Sequence, residues 1–138
     1  MVKTKTKRKK SPRLKALDRV QALANRYARL RDVKEEDGMA YCISCMEYLP
    51  YSELDGGHFI PKTSSDIRFD ERNINAQCIK CNRFMSGNVR HYLKGMLRKY
   101  GQEVVDELES REHLSKKWTL VELLELEIYY KEKIAQLL

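Results

Sequence analysis

Apolar residues recur at helical spacing near the start of the chain, in the segment SPRLKALDRVQALANRYARLRD that begins at Ser11. Ser11 is a residue type that favours the N-cap position, and Pro12 suits the first helical position, where its missing N–H costs nothing. The pattern predicts an amphipathic helix within residues 11–36, with the remaining surface basic. Its apolar residues are Leu14, Leu17, Val20, Leu23, Tyr27 and Leu30.

Three further helices are predicted towards the C-terminus. The segment SGNVRHYLKGMLRKYG predicts a helix from about Gly87 to Gly101, and QEVVDELESR predicts a short helix after it. Thr119 and Glu122 have the spacing of a capping box, which would open a long final helix. That helix has more apolar positions than a contact with a single neighbouring helix requires. It therefore either packs against the rest of the chain or pairs with a second copy. These positions are Leu123, Leu124, Ile128, Ile134 and Leu137.

The middle of the chain reads differently, because its apolar runs are short and interrupted by turn residues. Short strands are predicted on either side of Gly56 and Gly57, and a helix follows Cys81, which gives a strand–strand–helix unit within an α+β fold. The 138 residues suffice for one domain of ordinary size. We divide them into a disordered basic arm (1–10), the N-terminal helix (11–36), a core (37–100) and a C-terminal helical extension (101–138).

Charge is distributed unevenly along the chain. The net charge is +7, and residues 1–36 carry 13 Lys/Arg against 4 Asp/Glu, whereas residues 101–138 carry 5 against 9. The run KTKTKRKK at 3–10 is typical of a tail that seeks phosphates, although such tails also serve solubility or RNA association. No stretch approaches the roughly 20 apolar residues of a membrane span, and no signal peptide follows the basic start. We therefore expect a cytoplasmic protein that contacts nucleic acid and no membrane.

Four cysteines form two CxxC pairs with 32 residues between them. Two such pairs bring four thiolates together around a tetrahedral Zn²⁺, and disulfides are disfavoured in a reducing compartment. The sequence therefore predicts a structural zinc site, and the long segment between the pairs must carry structure or function of its own. The ligands are Cys42, Cys45, Cys78 and Cys81.

The segment between the cysteine pairs contains chemistry suited to phosphodiester hydrolysis. His58 follows two glycines, and its unperturbed pKa of about 6.5 allows it to act as a general base for water. Asn82 directly follows Cys81, so a metal-bound cysteine pair would hold it rigidly, and amide or carboxylate oxygens suit a hard divalent cation. We expect His58 and Asn82 to face one site.

The motifs GGHFIP, ERNINAQCIKCN and SGN resemble those of the HNH, or ββα-metal, nucleases, and CISC, RFDERNI, GQEVVDELES and a WT pair narrow the resemblance to the NinG/Rap recombination endonucleases of lambdoid phages. It covers roughly residues 14–138. It implies a zinc-clamped HNH-like core with flanking helices, in a phage-encoded enzyme of the bacterial host cell that cuts branched DNA such as D-loops and Holliday junctions with Mg²⁺ or Mn²⁺. The catalytic positions it implies are His58, Asn73 and Asn82.

One position departs from the wider HNH pattern. Many of these enzymes have a metal-binding Asp or His where this chain has Gly57, and glycine offers no ligand. Asp55 lies two residues earlier, and alternation along a strand returns it to the same face, so we expect Asp55 to serve as the surrogate ligand beside Asn82. A turn carboxylate is the alternative role. Asn73 is expected to brace the His58 loop through backbone hydrogen bonds rather than to bind metal.

Basic residues near this unit are candidates for phosphate contact, although a solvated face explains each one singly. His91 is expected to be a solvated or phosphate-facing helical residue. A non-catalytic zinc module that binds nucleic acid is the alternative function, and a homodimer through the terminal helices is the expected assembly. The candidate DNA-binding residues are Lys7, Arg8, Lys9, Lys10, Arg68, Arg72, Arg83, Arg90 and Lys94.

Overall fold

The structure is a computed structural model, and it describes residues 8–33 and 36–138. The arm prediction for residues 1–7, including Lys7, lies outside the described residues. Within the described residues, four α-helices flank two small sheets, in the chain order α1, β1, β2, β3, β4, α2, α3, α4. The elements are α1 (Pro12–Asp32), β1 (Met39–Tyr41), β2 (Tyr48–Pro50), β3 (Leu54–His58), β4 (Ile74–Cys78), α2 (Val89–Lys99), α3 (Gln102–Ser110) and α4 (Leu120–Leu137).

Both sheets are antiparallel hairpins of two strands, one made of β1 and β2 and the other of β3 and β4. In the second hairpin Leu54 pairs with Cys78 and His58 pairs with Ile74, so the strand that ends at His58 lies beside the strand that ends at a cysteine. A π-helical turn, Lys80–Phe84, separates β4 from α2. The mixture of helices and small antiparallel sheets confirms the α+β class.

The predicted helix ends are confirmed where a local cap defines them. The Ser11 side chain accepts a hydrogen bond from the Leu14 N–H, and Pro12 is the first residue of α1. Thr119 and Glu122 form both hydrogen bonds of the capping box at the start of α4. The helix α1 ends at Asp32, short of the predicted limit at residue 36, and residues 34–35 lie outside the described part of the chain.

The helices α1 and α4 pack against each other, and α1 also lies across β3 and β4. The buried face of α1 is built mainly from small residues, Ala16, Val20 and Ala24, which allow close approach of α4. Of the six apolar residues that the pattern assigned to this face, Val20 and Tyr27 are buried and Leu14 is exposed. The alanines were not in the predicted set, because alanine carries little hydrophobic signal by itself.

A second apolar cluster joins the segment after β3 to α2 and α3. Phe59 and Ile60 follow His58 directly and are buried against Tyr92 and Met96 of α2, with Val105 and Leu108 of α3 completing the cluster. The position of His58 is therefore fixed on its C-terminal side by packing. None of the described helices is long and apolar enough to cross a membrane.

Candidate functional site

The four cysteines converge between the two hairpins. Their Sγ atoms all lie within 4.8 Å of one another, and the Cys45 and Cys78 sulfurs are 3.8 Å apart. A tetrahedral site with Zn–S bonds of about 2.3 Å separates its sulfurs by about 3.8 Å, so this cluster has the dimensions of a metal site. The structure describes all four cysteines and joins none of them by a disulfide.

Backbone and side-chain donors surround these sulfurs. The Cys45 N–H donates to the Cys42 sulfur, the Cys81 N–H donates to the Cys78 sulfur, and the Asn88 amide donates to the Cys81 sulfur. Burial raises the pKa of the Cys78 thiol, so a bare thiolate is disfavoured there, and a bound cation would supply the charge that stabilises it. The cluster could therefore bind a metal such as zinc, as the two CxxC pairs predicted.

His58, the last residue of β3, faces α1. Its Nε2 lies 2.9 Å from the Arg68 carbonyl oxygen and 3.2 Å from the amide nitrogen of Gln21 on α1. The Arg68 carbonyl only accepts hydrogen bonds and the Gln21 amide nitrogen only donates them, so the two contacts favour opposite tautomers; we assign the ring proton to Nε2 on the shorter contact, which leaves Nδ1 unprotonated. Burial lowers the pKa of His58 by more than the bond to the Arg68 carbonyl raises it. The imidazole is thus neutral near pH 7, the state that a general base needs.

Asn73 holds the chain that follows His58. It is fully buried, its carboxamide oxygen accepts from the Ile60 N–H at 2.9 Å, and its amide nitrogen donates to the Ile60 carbonyl at 2.9 Å. The carboxamide oxygen and the amide nitrogen of Asn73 are therefore both bonded to the backbone of Ile60, two residues beyond His58. This is the bracing arrangement that the sequence predicted for Asn73, and it leaves the amide oxygen engaged rather than open to a cation.

Asp55 and Asn82 meet on the other face of the β3–β4 hairpin. The Asn82 amide nitrogen donates to Asp55 Oδ2 at 2.9 Å, and the Arg83 guanidinium donates to both Asp55 oxygens, also at 2.9 Å. Partial burial opposes ionisation of Asp55, but the bonds from Arg83 and Asn82 outweigh it and lower the pKa of this carboxyl. Asp55 is therefore an anion that already attracts a cationic group.

Gly57 has no room for a side chain. A Cβ added there would lie 2.0 Å from the Oε1 atom of Gln77, whose side chain leaves β4 on the same face. Gln77 is fully buried and its amide nitrogen donates to Ser44 Oγ and to the Gly87 carbonyl, so it cannot move aside readily. The space that a side chain at residue 57 would need is thus occupied by the Gln77 carboxamide, and Asp55 is the carboxylate on this face.

His58 and Asp55 leave opposite faces of β3, because they are three residues apart on a regular strand, about 10 Å along it. No hydrogen bond joins His58 to Asn82 among the described residues. The histidine side faces Gln21 of α1, whereas the carboxylate side faces the π-helical turn that carries Asn82. The structure therefore does not bring His58 and Asn82 to one face of the hairpin, contrary to the expectation from the sequence, and a phosphate would have to extend past both faces to contact both residues.

The candidate DNA-binding residues divide into two groups. Arg72 is held by Asp70 and Glu107, Arg83 by Asp55, and Arg68 by the Gln21 carboxamide oxygen. Arg90 and Lys94 lie exposed on α2, and their side chains form none of the ion pairs found among the described residues. At the arm, Arg8 and Lys9 are exposed and Lys10 pairs with Asp18.

Sequence reasoning missed two exposed cations near the cysteines, Lys80 and Arg98. Arg98 lies four residues after Lys94, which lies four after Arg90, and this spacing could have revealed all three as one helix face. His91, also exposed on α2, contacts the Asn88 amide oxygen through Nδ1 at 3.1 Å and is not a member of the cysteine cluster.

Comparisons with known proteins agree with the motifs. A family model described as NinG, Bacteriophage Lambda NinG protein, matches residues 2–138. Proteins named Protein ninG from Escherichia phage 933W and Escherichia phage lambda are 38% and 37% identical over 106 residues, which is 76% of this chain and 52% and 51% of those proteins.

The NinG protein of Salmonella phage P22 is 36% identical over the same length. The chain spans about half the length of the curated relatives it matches, and no solved structure matches it. A match over nearly the whole chain, together with these identities, places the protein in the NinG family.

Proposed function

We propose that this protein is a metal-dependent DNA endonuclease of the HNH type, in which His58 activates water for attack on a phosphodiester. The observation that supports this most directly is the hydrogen bond from His58 Nε2 to the Arg68 carbonyl. With the ring proton assigned to Nε2 on this contact, Nδ1 is the proton acceptor at the end of β3.

In the proposed reaction, His58 Nδ1 takes a proton from water as the water oxygen forms a bond to phosphorus. The P–O bond to the leaving oxygen breaks, and that oxygen is protonated by solvent. Histidine bases of this kind typically contribute 10²- to 10⁴-fold to the rate. Burial favours the neutral ring, which keeps the base available at neutral pH.

Asp55 and Asn82 are the residues that would hold the catalytic cation. Their oxygens are the ligand type that Mg²⁺ and Mn²⁺ prefer, and the two side chains are already within hydrogen-bond distance. A bound divalent ion would stabilise negative charge on the phosphate and on the leaving oxygen. Arg83, which now pairs with Asp55, would have to turn away, and a nearby phosphate offers it another partner.

The substrate and assembly follow from the same proposal. Branched DNA recombination intermediates, in the bacterial cytoplasm during phage growth, are the expected targets. One face of α4 carries Val121, Leu124 and Ile128 exposed to solvent, the side chains at 65%, 42% and 59%. This face supports the expected homodimer through the terminal helices, which light scattering of the full chain would test by giving twice the monomer mass.

The test is cleavage of a synthetic four-way junction by the full chain with Mg²⁺, with Mn²⁺ and with EDTA. We expect cleavage with either metal and none with EDTA. His58→Ala should lose at least 10²-fold in rate, while His113→Ala, a matched change at an exposed histidine outside the site, should not. The rate should fall as the pH drops through the pKa of His58, which burial lowers from the ordinary histidine value of about 6.5, because the ring is then protonated.

The alternative function is a non-catalytic zinc module that binds nucleic acid. Its support is the exposed basic face of α2 and the cysteine cluster, neither of which requires His58. Junction binding without cleavage under any divalent metal, with equal binding by wild type and His58→Ala, would favour this alternative over the nuclease.

A further inference from the structure

A cavity of about 370 Å³ opens between the β1–β2 hairpin and α2, away from both His58 and Asp55. Its lining is mostly apolar and includes Met39, Ala40 and Ile43, and its charged members are Asp32, Arg98 and Lys99. Gly95 lets α2 approach Ile43, since a Cβ there would lie 2.0 Å from the Ile43 carbonyl oxygen. The size is that of a small-ligand site rather than of a packing defect.

Two tyrosines form one wall of the cavity. The rings of Tyr41 and Tyr48 lie with centroids 4.6 Å apart at 32°, and Tyr41 is 59% exposed. Met46, held in a left-handed backbone conformation with φ of 65°, also lines the cavity and is exposed. Solvent-exposed aromatic rings beside an apolar cavity are typical of binding sites on which flat heterocycles, such as nucleic-acid bases, stack.

The opposite rim is basic. Arg98 of α2 lines this cavity and also a second groove of about 560 Å³ that runs past Lys80 and Lys94. Arg90, Lys94 and Arg98 follow one another at intervals of four residues, about 6 Å apart along the helix axis, and α2 contains no acidic residue. The exposed face of α2 therefore forms a basic track that ends at the tyrosine wall.

We propose that the cavity, which we call the tyrosine pocket, binds one unpaired base of single-stranded DNA, with the adjoining phosphates on the basic track of α2. The base stacks on Tyr41, and Arg98 contacts the phosphate next to it. The identity of the nucleic acid as DNA rests on the proposed function. Branched DNA presents unpaired bases where strands separate, whereas blunt duplex presents none, so the pocket would distinguish the two.

Charge favours a nucleotide over an apolar protein side chain as the occupant. The apolar surface alone would suit either one, but cations outnumber carboxylates at the site: Arg98 and Lys99 line the cavity against Asp32, Lys80, Lys94 and Arg98 line the groove against Glu47, and the chain carries a net charge of +7. Phosphates complement such a track, and stacking supplies affinity for the base without sequence selection. An apolar side chain of a partner would leave the α2 track without a counterpart.

The test measures binding in EDTA, so that cleavage plays no part. The full chain is titrated with a forked duplex that has single-stranded arms and with a blunt duplex of equal length, by fluorescence anisotropy. Tyr41→Ala should weaken fork binding about tenfold and leave blunt-duplex binding within about twofold. Tyr41→Phe should restore fork binding, because the ring stacks without its hydroxyl.

Arg98→Ala should also weaken fork binding, and by more than Arg26→Ala, which removes the same charge from an exposed position of α1. The second readout is photocrosslinking with 5-iodouracil placed in one single-stranded arm, which should join the DNA to a peptide containing Tyr41 or Tyr48. Thermal unfolding and metal content of each variant report whether its fold is retained.

The pocket proposal is wrong if well-folded Tyr41→Ala binds fork as wild type does, if it loses fork and blunt duplex equally, or if the crosslinks map elsewhere. These outcomes are independent of catalysis. If the protein binds the unpaired base through Tyr41 but cleaves no junction, the nuclease proposal is wrong and the pocket proposal stands. If it cleaves junctions but Tyr41→Ala does not change fork binding, the pocket proposal is wrong and the nuclease proposal stands.

Discussion

Two regions of this protein are stabilised by different physical means. The helical layer, formed by α1 and α4, is held by apolar burial, with Val20, Leu123 and Tyr130 almost wholly enclosed. The cysteine unit, formed by the two hairpins and the turns that carry the CxxC pairs, encloses three cysteines and a row of polar side chains instead. Apolar packing stabilises the first region, whereas the second encloses hydrogen-bonded polar groups and a cysteine cluster that could bind a metal.

Most buried polar side chains of the cysteine unit bond to specific partners, although Gln77 Oε1 has no hydrogen-bond partner among the described residues. Asn73 is bonded to the Ile60 backbone, and the Asn75 carboxamide contacts Arg31, Tyr92 and Tyr100. Such groups are costly to bury unless each finds a partner, so they specify one arrangement of the chain rather than contribute much net stability. The candidate catalytic residues and the tyrosines proposed to bind a base lie in or beside this region, where hydrogen bonds restrict the positions of the side chains.

Replacement of one cysteine of the cluster should produce the largest loss of stability, and this loss should affect the cysteine unit rather than the helical layer. Cys78→Ser is expected to lose zinc and unfold the cysteine unit, because structural zinc contributes on the order of 10 kcal/mol in small sites. Zinc stoichiometry and circular dichroism measure this, and chelation of the wild type should have the same effect. A folded, zinc-free variant that retains full activity would show that the cysteine unit does not need a bound metal to fold.

A cavity in the helical layer should lower the stability by less than Cys78→Ser does, and it should leave the metal content unchanged. Leu123→Ala is expected to lower the free energy of unfolding by about 2–5 kcal/mol, since Leu123 is fully buried between the helices. The neighbouring Leu124→Ala, at a 42% exposed side chain, should change it by less than about 0.5 kcal/mol. Denaturant titrations with zinc bound provide the values, and equal effects at both positions would show that α4 packs differently.

The contact of α2 with the cysteine unit can be tested at Gly95. A helical Gly→Ala change ordinarily stabilises by about 0.5–1 kcal/mol, but here the added Cβ would meet the Ile43 carbonyl at 2.0 Å. We expect a loss of about 1–3 kcal/mol instead. Lys94→Ala, on the exposed side of the same helix, is the control. A stabilised Gly95→Ala protein would mean that α2 does not approach Ile43 so closely.

The smallest effect is expected at the surface of the helical layer. Arg19 donates two hydrogen bonds to Glu127 across α1 and α4, but its side chain is 48% exposed. Arg19→Ala should therefore cost only about 0.2–1 kcal/mol, and less at high salt because mobile ions screen the pair. Unfolding titrations at low and high ionic strength would measure this, and a loss that does not change with salt would point to packing by the arginine stem.

Features encoded within a few residues could be predicted from the sequence. Ser11 and Thr119 start the first and last helices because a capping hydrogen bond spans only three residues. The CxxC pairs indicated a metal cluster for the same reason, since each pair makes its own compact turn. The four sulfurs do converge.

Features that depend on residues far apart in the chain required the tertiary structure. The tautomer assigned to His58 depends on a carbonyl ten residues away, and the pairing of Arg72 with Glu107 joins residues 35 positions apart. The tyrosine pocket is lined both by the β1–β2 hairpin and by α2, and Gly95 allows α2 to lie close to Ile43. The sequence by itself determined which segments fold and which residue types are available, because caps, turns and periodicity act locally. Only the tertiary structure decided which of those side chains are buried, paired or exposed, because burial and pairing are set by neighbours that the chain order does not reveal.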